Sequence, residues 1–387
     1  MINIETLKLK FKKIFKTNPE LIFSCPSRIN LIGEHTDYNG GFVLPCAISK
    51  RAYALVSKRN DQKICLASNE ISNVVECELT NIKNEPLHDW ANYPLGIFAT
   101  LIMKGYNLDF GLNILYSSEI PLGSGLSSSA AILCLTGFAL SNIYDLDLSY
   151  QQIADIAHLS ETEFNGLKCG IMDEYAIALG NKNMAILLNC DKRSFDYIPV
   201  SFKPYLLIVI VSNVKRELLK SPYNQRVIEC NRALELLKPA FKISSLCELS
   251  INDLNLVNKI LKDDILKRRV KHVVSENNRV KLFVKALKEN NILLVSSLLN
   301  ESQISLKDDY EVTGQYLDYL HDISLASGAI AERMTGAGFG GSAIALVKEE
   351  NYEIFKERVI SKYNQKFGFK PDIFIADICD SFEIIKD

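Results

Sequence analysis

No excess of either charge marks this sequence. Lys and Arg number 44 against 46 Asp and Glu, a formal net charge of −2 over 387 residues. A chain that holds nucleic acid or an anionic membrane through electrostatics carries a basic surplus, so neither partner is expected. Long hydrophobic runs are also missing. The longest, Tyr205 to Val211, falls far short of the ~20 residues a bilayer-spanning helix needs. The stretch MINIETLKLKFKKIFK has lysines every few positions and lacks the continuous apolar segment of a signal peptide. Ten cysteines are present, but the closest two, Cys65 and Cys77, lie twelve positions apart, so no paired metal spacing exists. Buried thiols in a reducing cytoplasm are expected instead. No internal repeat occurs, and no Gly-Lys-Ser/Thr sequence, which excludes a Walker A loop.

What is present suits a globular enzyme-sized chain. Apolar residues make up 48% and charged residues 23%, enough for sizeable cores, and the length suggests two domains. Strand-like and helix-like patterns alternate, which indicates mixed α and β structure. Ala52 to Lys58, Ile64 to Ala67 and Gly111 to Tyr116 read as strands. An amphipathic first helix carries Leu7, Phe11, Ile14 and Phe15 on one face. Ser127 to Ile143 is apolar nearly all round and reads as a buried helix, and Gln151 to Phe164 as an amphipathic one. YLLIVIVS, near residue 205, reads as a strand buried on both faces. A helical region with charged polar faces follows from Gln225 to about Leu320, then a glycine-rich turn at 336–341 and the strand SAIALV. A helix near 352–362 and a strand near 372–376 end the pattern. A boundary is expected near residue 199, giving domains 1–199 and 200–387.

Three segments carry chemistry. PLGSGLSSSAA, residues 121–131, places Gly123 and Gly125 in a tight turn and Ser127, Ser128 and Ser129 where the long apolar helix begins. Free N–H groups and the helix dipole make such a turn an anion site, although an ordinary Ser-capped helix would look the same. TGAGFGGS, residues 335–342, matches GxGxxG at Gly336, Gly338 and Gly341, but a strand follows where a dinucleotide fingerprint needs a helix. A glycine loop packed closely on a ligand or on other backbone fits better. NLIGEHTDYNGG, residues 30–41, follows Arg28 and sets Glu34, His35 and Asp37 on one loop. Carboxylates and imidazole in that density suit a polyhydroxylated ligand, while a surface loop of mixed charge is the plain alternative. A metal held by His35 and two carboxylates is disfavoured, since no helix would orient the ligands.

Together these segments resemble the galactokinases of the GHMP kinase superfamily. The stretch at 28–41 resembles the galactokinase signature, residues 121–131 the superfamily phosphate loop, and MTGAGFGGSAIALV its C-terminal glycine motif. DWANYPLG (89–96), CGIMDE (169–174), SNVKRELLKSPYNQR (212–226) and HVVSENNRV (272–280) agree in order. The resemblance implies an α+β fold of two GHMP-kinase-like domains with the active site in the cleft between them. It implies galactose and ATP as small-molecule substrates, Mg²⁺ as cofactor, and a cytoplasmic monomer. Sugar contacts fall on Glu34, His35, Thr36, Asp37, Gly170, Asp173 and Tyr223. Nucleotide contacts fall on Gly123, Ser124, Gly125, Leu126, Ser127, Ser128 and Ser129, with Ser68 and Trp90 nearer the adenosine. Ser129 and Glu161 match the metal-associated pair, Asp173 the catalytic acid/base and Arg28 the charge beside it.

One position departs from the family pattern, which usually reads CGIMDQ where this chain has Glu174. Neighbours along a helix do not share a face, so Glu174 is expected to point away from the sugar. Were it to face the site, its charge would raise the pKa of Asp173.

Overall fold

The computed structural model describes residues 2–121, 123–214 and 223–386. Leu122 of the 121–131 loop and most of the 212–226 stretch lie outside the described residues. The first half runs α1 (Ile4–Phe15), β1 (Leu21–Asn30), β2 (Phe42–Val43), β3 (Pro45–Lys58), β4 (Lys63–Ser68), β5 (Val74–Glu78) and α2 (Asn92–Met103). It continues through β6 (Leu112–Ser118), α3 (Ser128–Ile143), α4 (Tyr150–Leu159), α5 (Met172–Ala178), β7 (Met184–Asn189) and β8 (Ser194–Pro199). The second half opens with β9 (Tyr205–Val211), followed by α6 (Tyr223–Phe241), α7 (Leu254–Ile260), α8 (Asp264–Lys288), α9 (Ile292–Asp308) and α10 (Gly314–Leu325). It closes with β10 (Ala329–Thr335), β11 (Ser342–Lys348), α11 (Tyr352–Phe367), β12 (Asp372–Ile375) and β13 (Glu383–Ile385).

Three sheets organise these elements: a six-stranded one in the order β13-β1-β3-β6-β4-β5, a four-stranded β10-β11-β9-β12, and a three-stranded β2-β7-β8. Helix α1 begins at an Asn3 cap and seats Leu7 and Phe11 on Ile22, Leu55, Ala67 and Leu115, covering one face of the large sheet. The apolar helices α2, α3 and α5 fill the other face. The both-face burial expected of YLLIVIV has a simple origin. Leu207, Val209 and Val211 join the first core, whereas Ile208 and Ile210 join the second with α6, α8, α10 and α11. β9 is thus the wall between two cores, and period-2 alternation places an apolar residue on each side.

Several details position the site. Pro26 lies inside β1, where the register with β3 shifts between Pro26 and Ser27. A residue without an N–H is tolerated at such a bulge, and bulges re-aim the side chains that follow, here Arg28. The expected helix 151–164 does not run through as one α-helix. It is α-helical to Leu159, and Ser160–Phe164 forms a wider π-type turn, with Asn165 N–H bonded to the Ser160 carbonyl at 3.0 Å. The polar faces of the helical region also differ from expectation, because α8 buries Arg269, His272, Glu276 and Arg279 rather than solvating them. Residues beyond 376 return to the first sheet: Cys379 N–H bonds Ala47 and β13 pairs with β1. No helix among the described residues is long and apolar enough to cross a membrane.

Candidate active site

The glycine motifs at 121–131 and 335–342, far apart in sequence, touch in the structure. A side chain at Gly336 (φ 84°) would lie 3.1 Å from the Gly125 carbonyl, and Ser342 Oγ donates to the Ser124 carbonyl at 2.7 Å. The loop at 336–341 is therefore a close-packed backbone contact, as its glycines suggest. Beside this contact a cleft of about 640 Å³ opens, lined by side chains from both halves of the chain.

At its centre Arg28 Nε and Nη2 each donate to Asp173 at 2.7 Å, while Nη1 donates to the Gly125 carbonyl at 2.8 Å. Burial opposes the Arg28 charge, but Asp173 beside it wins and holds the guanidinium above its ordinary pKa. Ser127, in the left-handed region at φ 60°, makes no helix cap; its hydroxyl donates to Asp173 Oδ2. One carboxylate is thereby gripped by β1, by the phosphate-loop serine and by its own place in the first turn of α5, where the helix dipole favours negative charge. It keeps 30% side-chain exposure, against 4% for Arg28, so it still faces the cleft.

The loop after β1 forms one wall. Glu34 is buried and accepts from Arg333 Nη2 and from Gly336 N–H at 2.9 Å. Burial raises its pKa against the pull of Arg333. His35 is held neutral, its pKa lowered to about 3 first by burial and then by nearby His272; its Nδ1 meets Tyr38 Oη at 2.9 Å. Asp37 lines the cleft, and burial together with Asp173 and Glu34 pushes it up to about 7. Gly170 sits against it: a Cβ there would fall 1.9 Å from Asp37 Oδ2, so only glycine fits. Tyr223, at the start of α6, completes this wall 5.7 Å from the His35 ring. Thr36 is placed differently. It is fully buried and its hydroxyl donates to the Gly33 and Phe42 carbonyls at 2.8 Å, so it ties the loop together from behind.

On the phosphate-loop side Gly123, Gly125, Ser127, Ser128 and Ser129 line the cleft. Leu126 is core, and Ser124 turns inward, its Oγ accepting from Leu126 N–H at 3.4 Å. Ser68 and Trp90 line the far end, where Trp90 Nε1 donates to Asn73 at 3.0 Å and its ring meets Tyr116 edge-on. Ile71, Tyr93, Ile120 and Ile132 add an apolar surface that no sequence pattern announced.

Below the serines lies a second carboxyl group. Glu161, in the π-type turn, is buried and lines the cleft; burial and the neighbouring Glu174 raise its pKa far above the carboxylate range. No Lys or Arg pairs with it among the described residues, and Cys169 Sγ donates to it at 3.4 Å. Two oxygen donors, Ser129 and Glu161, one of them a buried carboxyl lacking a cation, are a donor set that suits Mg²⁺. Glu174 is fully buried and absent from the cleft lining, facing Glu161 and His158 instead of the sugar loop.

The sequence contains the matching family signatures. The galactokinase galactose-binding signature matches residues 9–58, the GHMP kinases N-terminal domain 92–181 and the GHMP kinases C-terminal model 283–365. The chain is 42% identical to the galactokinase of Clostridium beijerinckii, covering 98% of each chain. The chain belongs to the galactokinase family. It is also 40% identical to the Bacillus subtilis galactokinase over 99% of both. The crystal structure of Lactococcus lactis galactokinase complexed with galactose matches it with a TM-score of 0.95 at 36% identity, covering 98% of this chain and 99% of that one. Mevalonate kinase from Methanococcus jannaschii, at TM-score 0.66 and 24% identity, shares the fold. Within this galactokinase-family cleft, sequence reasoning missed Arg333, His272 and Glu276, which hold the sugar-side loop from behind. Glu276 Oε1 accepts from Gly33 N–H at 3.0 Å, and His272 Nε2 bonds the Glu34 carbonyl at 3.1 Å. The available signals were the stretch HVVSENNRV, which holds His272 and Glu276 without assigning them a role, and Arg333, a lone cation in a strand running into the glycine motif.

Proposed function

We propose that the chain transfers the γ-phosphoryl group of ATP to the anomeric hydroxyl of α-D-galactose, giving galactose 1-phosphate and ADP. The observation that carries this reading is Asp173, gripped by Arg28 and Ser127 where the sugar-side loop and the phosphate loop meet. Phosphoryl transfer asks little covalent help of a protein; it asks for alignment and for charge to be neutralised. Glu34, His35, Asp37 and Tyr223 offer directional partners to a sugar at one wall, and Gly123 to Ser129 offer N–H groups and hydroxyls at the other. Asp173 lies between them, so a hydroxyl held by the first wall has a carboxylate to orient it and to take its proton. Arg28 fixes the direction of that carboxylate through two hydrogen bonds. Ser129 and Glu161 would hold Mg²⁺, which when bound screens the phosphate charge. The ten free cysteines suit a reducing cytoplasm.

The test is incubation with ATP, Mg²⁺ and a panel of free sugars. Galactose is expected to give the highest kcat/KM, with glucose, which differs in the direction of one hydroxyl, lower by up to roughly 10⁴-fold. N-acetylgalactosamine on the same panel probes the space around the second carbon. Comparable turnover of glucose and galactose would overturn the assignment.

A further inference from the structure

Behind the phosphate end of the cleft, three unlike donors from three segments converge. His158 comes from the last turn of α4, Cys169 from the loop before α5, and Glu174 from the first turn of α5. His158 Nδ1, Cys169 Sγ and a Glu174 carboxylate oxygen all lie within 4.8 Å of one another. We propose that these three side chains form a binding site for a thiophilic divalent cation of the Zn²⁺ class.

Glu174 supplies the independent observation. Its side chain is fully buried, and the partners its oxygens meet are another buried carboxyl, Glu161, and His158 Nδ1 at 3.4 Å, which makes no hydrogen bond of ordinary geometry. No Lys or Arg among the described residues pairs with this group. Buried carboxyls are almost always matched by donors, so a carboxyl pair and an imidazole nitrogen left without them beside a thiol mark a place where a cation belongs. Sulfur, imidazole nitrogen and carboxylate oxygen are the ligands that select zinc-class ions, and they select against Mg²⁺, which requires oxygen and dehydrates reluctantly. This sets the site apart from the oxygen pair Ser129 and Glu161. Contraction around a bound cation would bring the donors to its ~2.0–2.3 Å bond lengths, with the fourth position left to water.

The charges balance. A dication, one thiolate, one carboxylate and a neutral imidazole sum to zero in a buried setting, and the thiol and carboxyl protons leave to solvent as the metal–sulfur and metal–oxygen bonds form. Because Cys169 precedes Gly170 and Glu174 follows Asp173, an occupied site would staple α4 to the segment that carries both cleft residues.

Chelator-treated protein, free of sugar, nucleotide and Mg²⁺, is titrated with Co²⁺ and then Zn²⁺. One equivalent of Co²⁺ is expected to give a thiolate-to-cobalt charge-transfer band and the d–d bands of a four-coordinate site, both removed by Zn²⁺. Cys169→Ser is expected to abolish the thiolate band, and His158→Gln combined with Glu174→Gln to weaken Co²⁺ by at least about 100-fold, beyond what loss of an outer-shell partner costs. Zn²⁺ should raise the melting temperature of the parent protein but of neither variant. No thiolate band, or a band that survives in Cys169→Ser, overturns the proposal. If Cys169→Ser does not fold, undiminished Co²⁺ affinity in the double variant overturns it equally. None of these readouts depends on sugar phosphorylation.

Discussion

At the sugar end of the cleft, Glu34 is buried with Arg333 and a backbone N–H as donors, and Glu276 behind it has Arg279, Ser302 and Gly33. At the phosphate end, Glu161 and Glu174 are just as buried, but no Lys or Arg pairs with either among the described residues. The difference appears in the pKa values. Arg279, His272 and Arg333 overcome burial and hold Glu276 down at about 2, whereas burial lifts both phosphate-end carboxyls, joined by Glu174 in the case of Glu161 and by Asp173 in the case of Glu174. A carboxylate whose donors are already in place, as those of Glu276 are, holds the loop above it ready for a neutral ligand. Two buried carboxyls short of positive charge are a setting that suits the cation proposed above. The two ends follow opposite electrostatic rules because their ligands differ in charge.

The sharpest way to break this comparison is at its midpoint. Asp173→Asn keeps the shape but cannot take a proton, and kcat is expected to fall at least about 100-fold, within the roughly 10²- to 10⁴-fold usual for general-base assistance. ATP binding should persist, and single-turnover kinetics with a folded control check both. A variant retaining more than roughly a tenth of parent kcat would remove Asp173 from the base role.

At the satisfied end the largest loss should be in stability. Glu34→Gln leaves Arg333 buried with no countercharge, a change that typically costs about 3–5 kcal/mol, to be read from denaturant unfolding. An unchanged midpoint would mean that the pair contributes nothing. The same end should be sensitive to acid. Burial lowers His272 to about 4, so the unfolded chain, with an ordinary histidine near 6.5, binds its proton first. Stability contributed above pH ~6.5 is therefore lost as pH falls towards 4, by up to about 3 kcal/mol. His272→Gln should flatten that part of the stability–pH curve, leaving the share due to His35. A curve that keeps its full slope would show that His272 is not buried neutral.

The smallest effect is expected at the unsatisfied end. Ser129→Ala removes one charge-assisted contact worth about 1.5–3 kcal/mol, or roughly 10- to 150-fold in kcat. Galactose binding measured without nucleotide should be unaltered. A large loss of sugar affinity with unchanged turnover would reverse the assignment of the two ends.

What the sequence disclosed follows from where the information sits. Glycines, serines and acids concentrated on loops are legible because loops carry function and their backbone needs are specific. The three motifs were found for that reason, as was the double-faced strand at β9. The support behind them was not legible. Arg269, His272, Glu276 and Arg279 repeat along α8 as a polar face normally would, and only tertiary packing turns that face inward under the sugar-side loop. β1 was hidden by Pro26, which argues against a strand unless a bulge is known. Glu161 was singled out by the resemblance alone, because an α-helical period that continues past Leu159 gives it no role beyond that of a helix charge. The π-type turn, invisible in periodicity, turns the residue into the cleft wall.

The pairing of β13 with β1 also has a consequence in time. The strand that carries Arg28 is flanked by β3 on one side and by residues 383–385 on the other. During synthesis the first sheet can collapse on α3 and α5 long before β13 exists, because domains fold as they emerge. Until then one edge of β1 is an open ladder of N–H and C=O groups, the kind of surface that recruits other chains. A ribosome stalled beyond α11 would therefore display a nearly finished catalytic lobe with its most adhesive border uncovered. The burden of keeping that nascent chain apart from its neighbours falls on the emergence of β13.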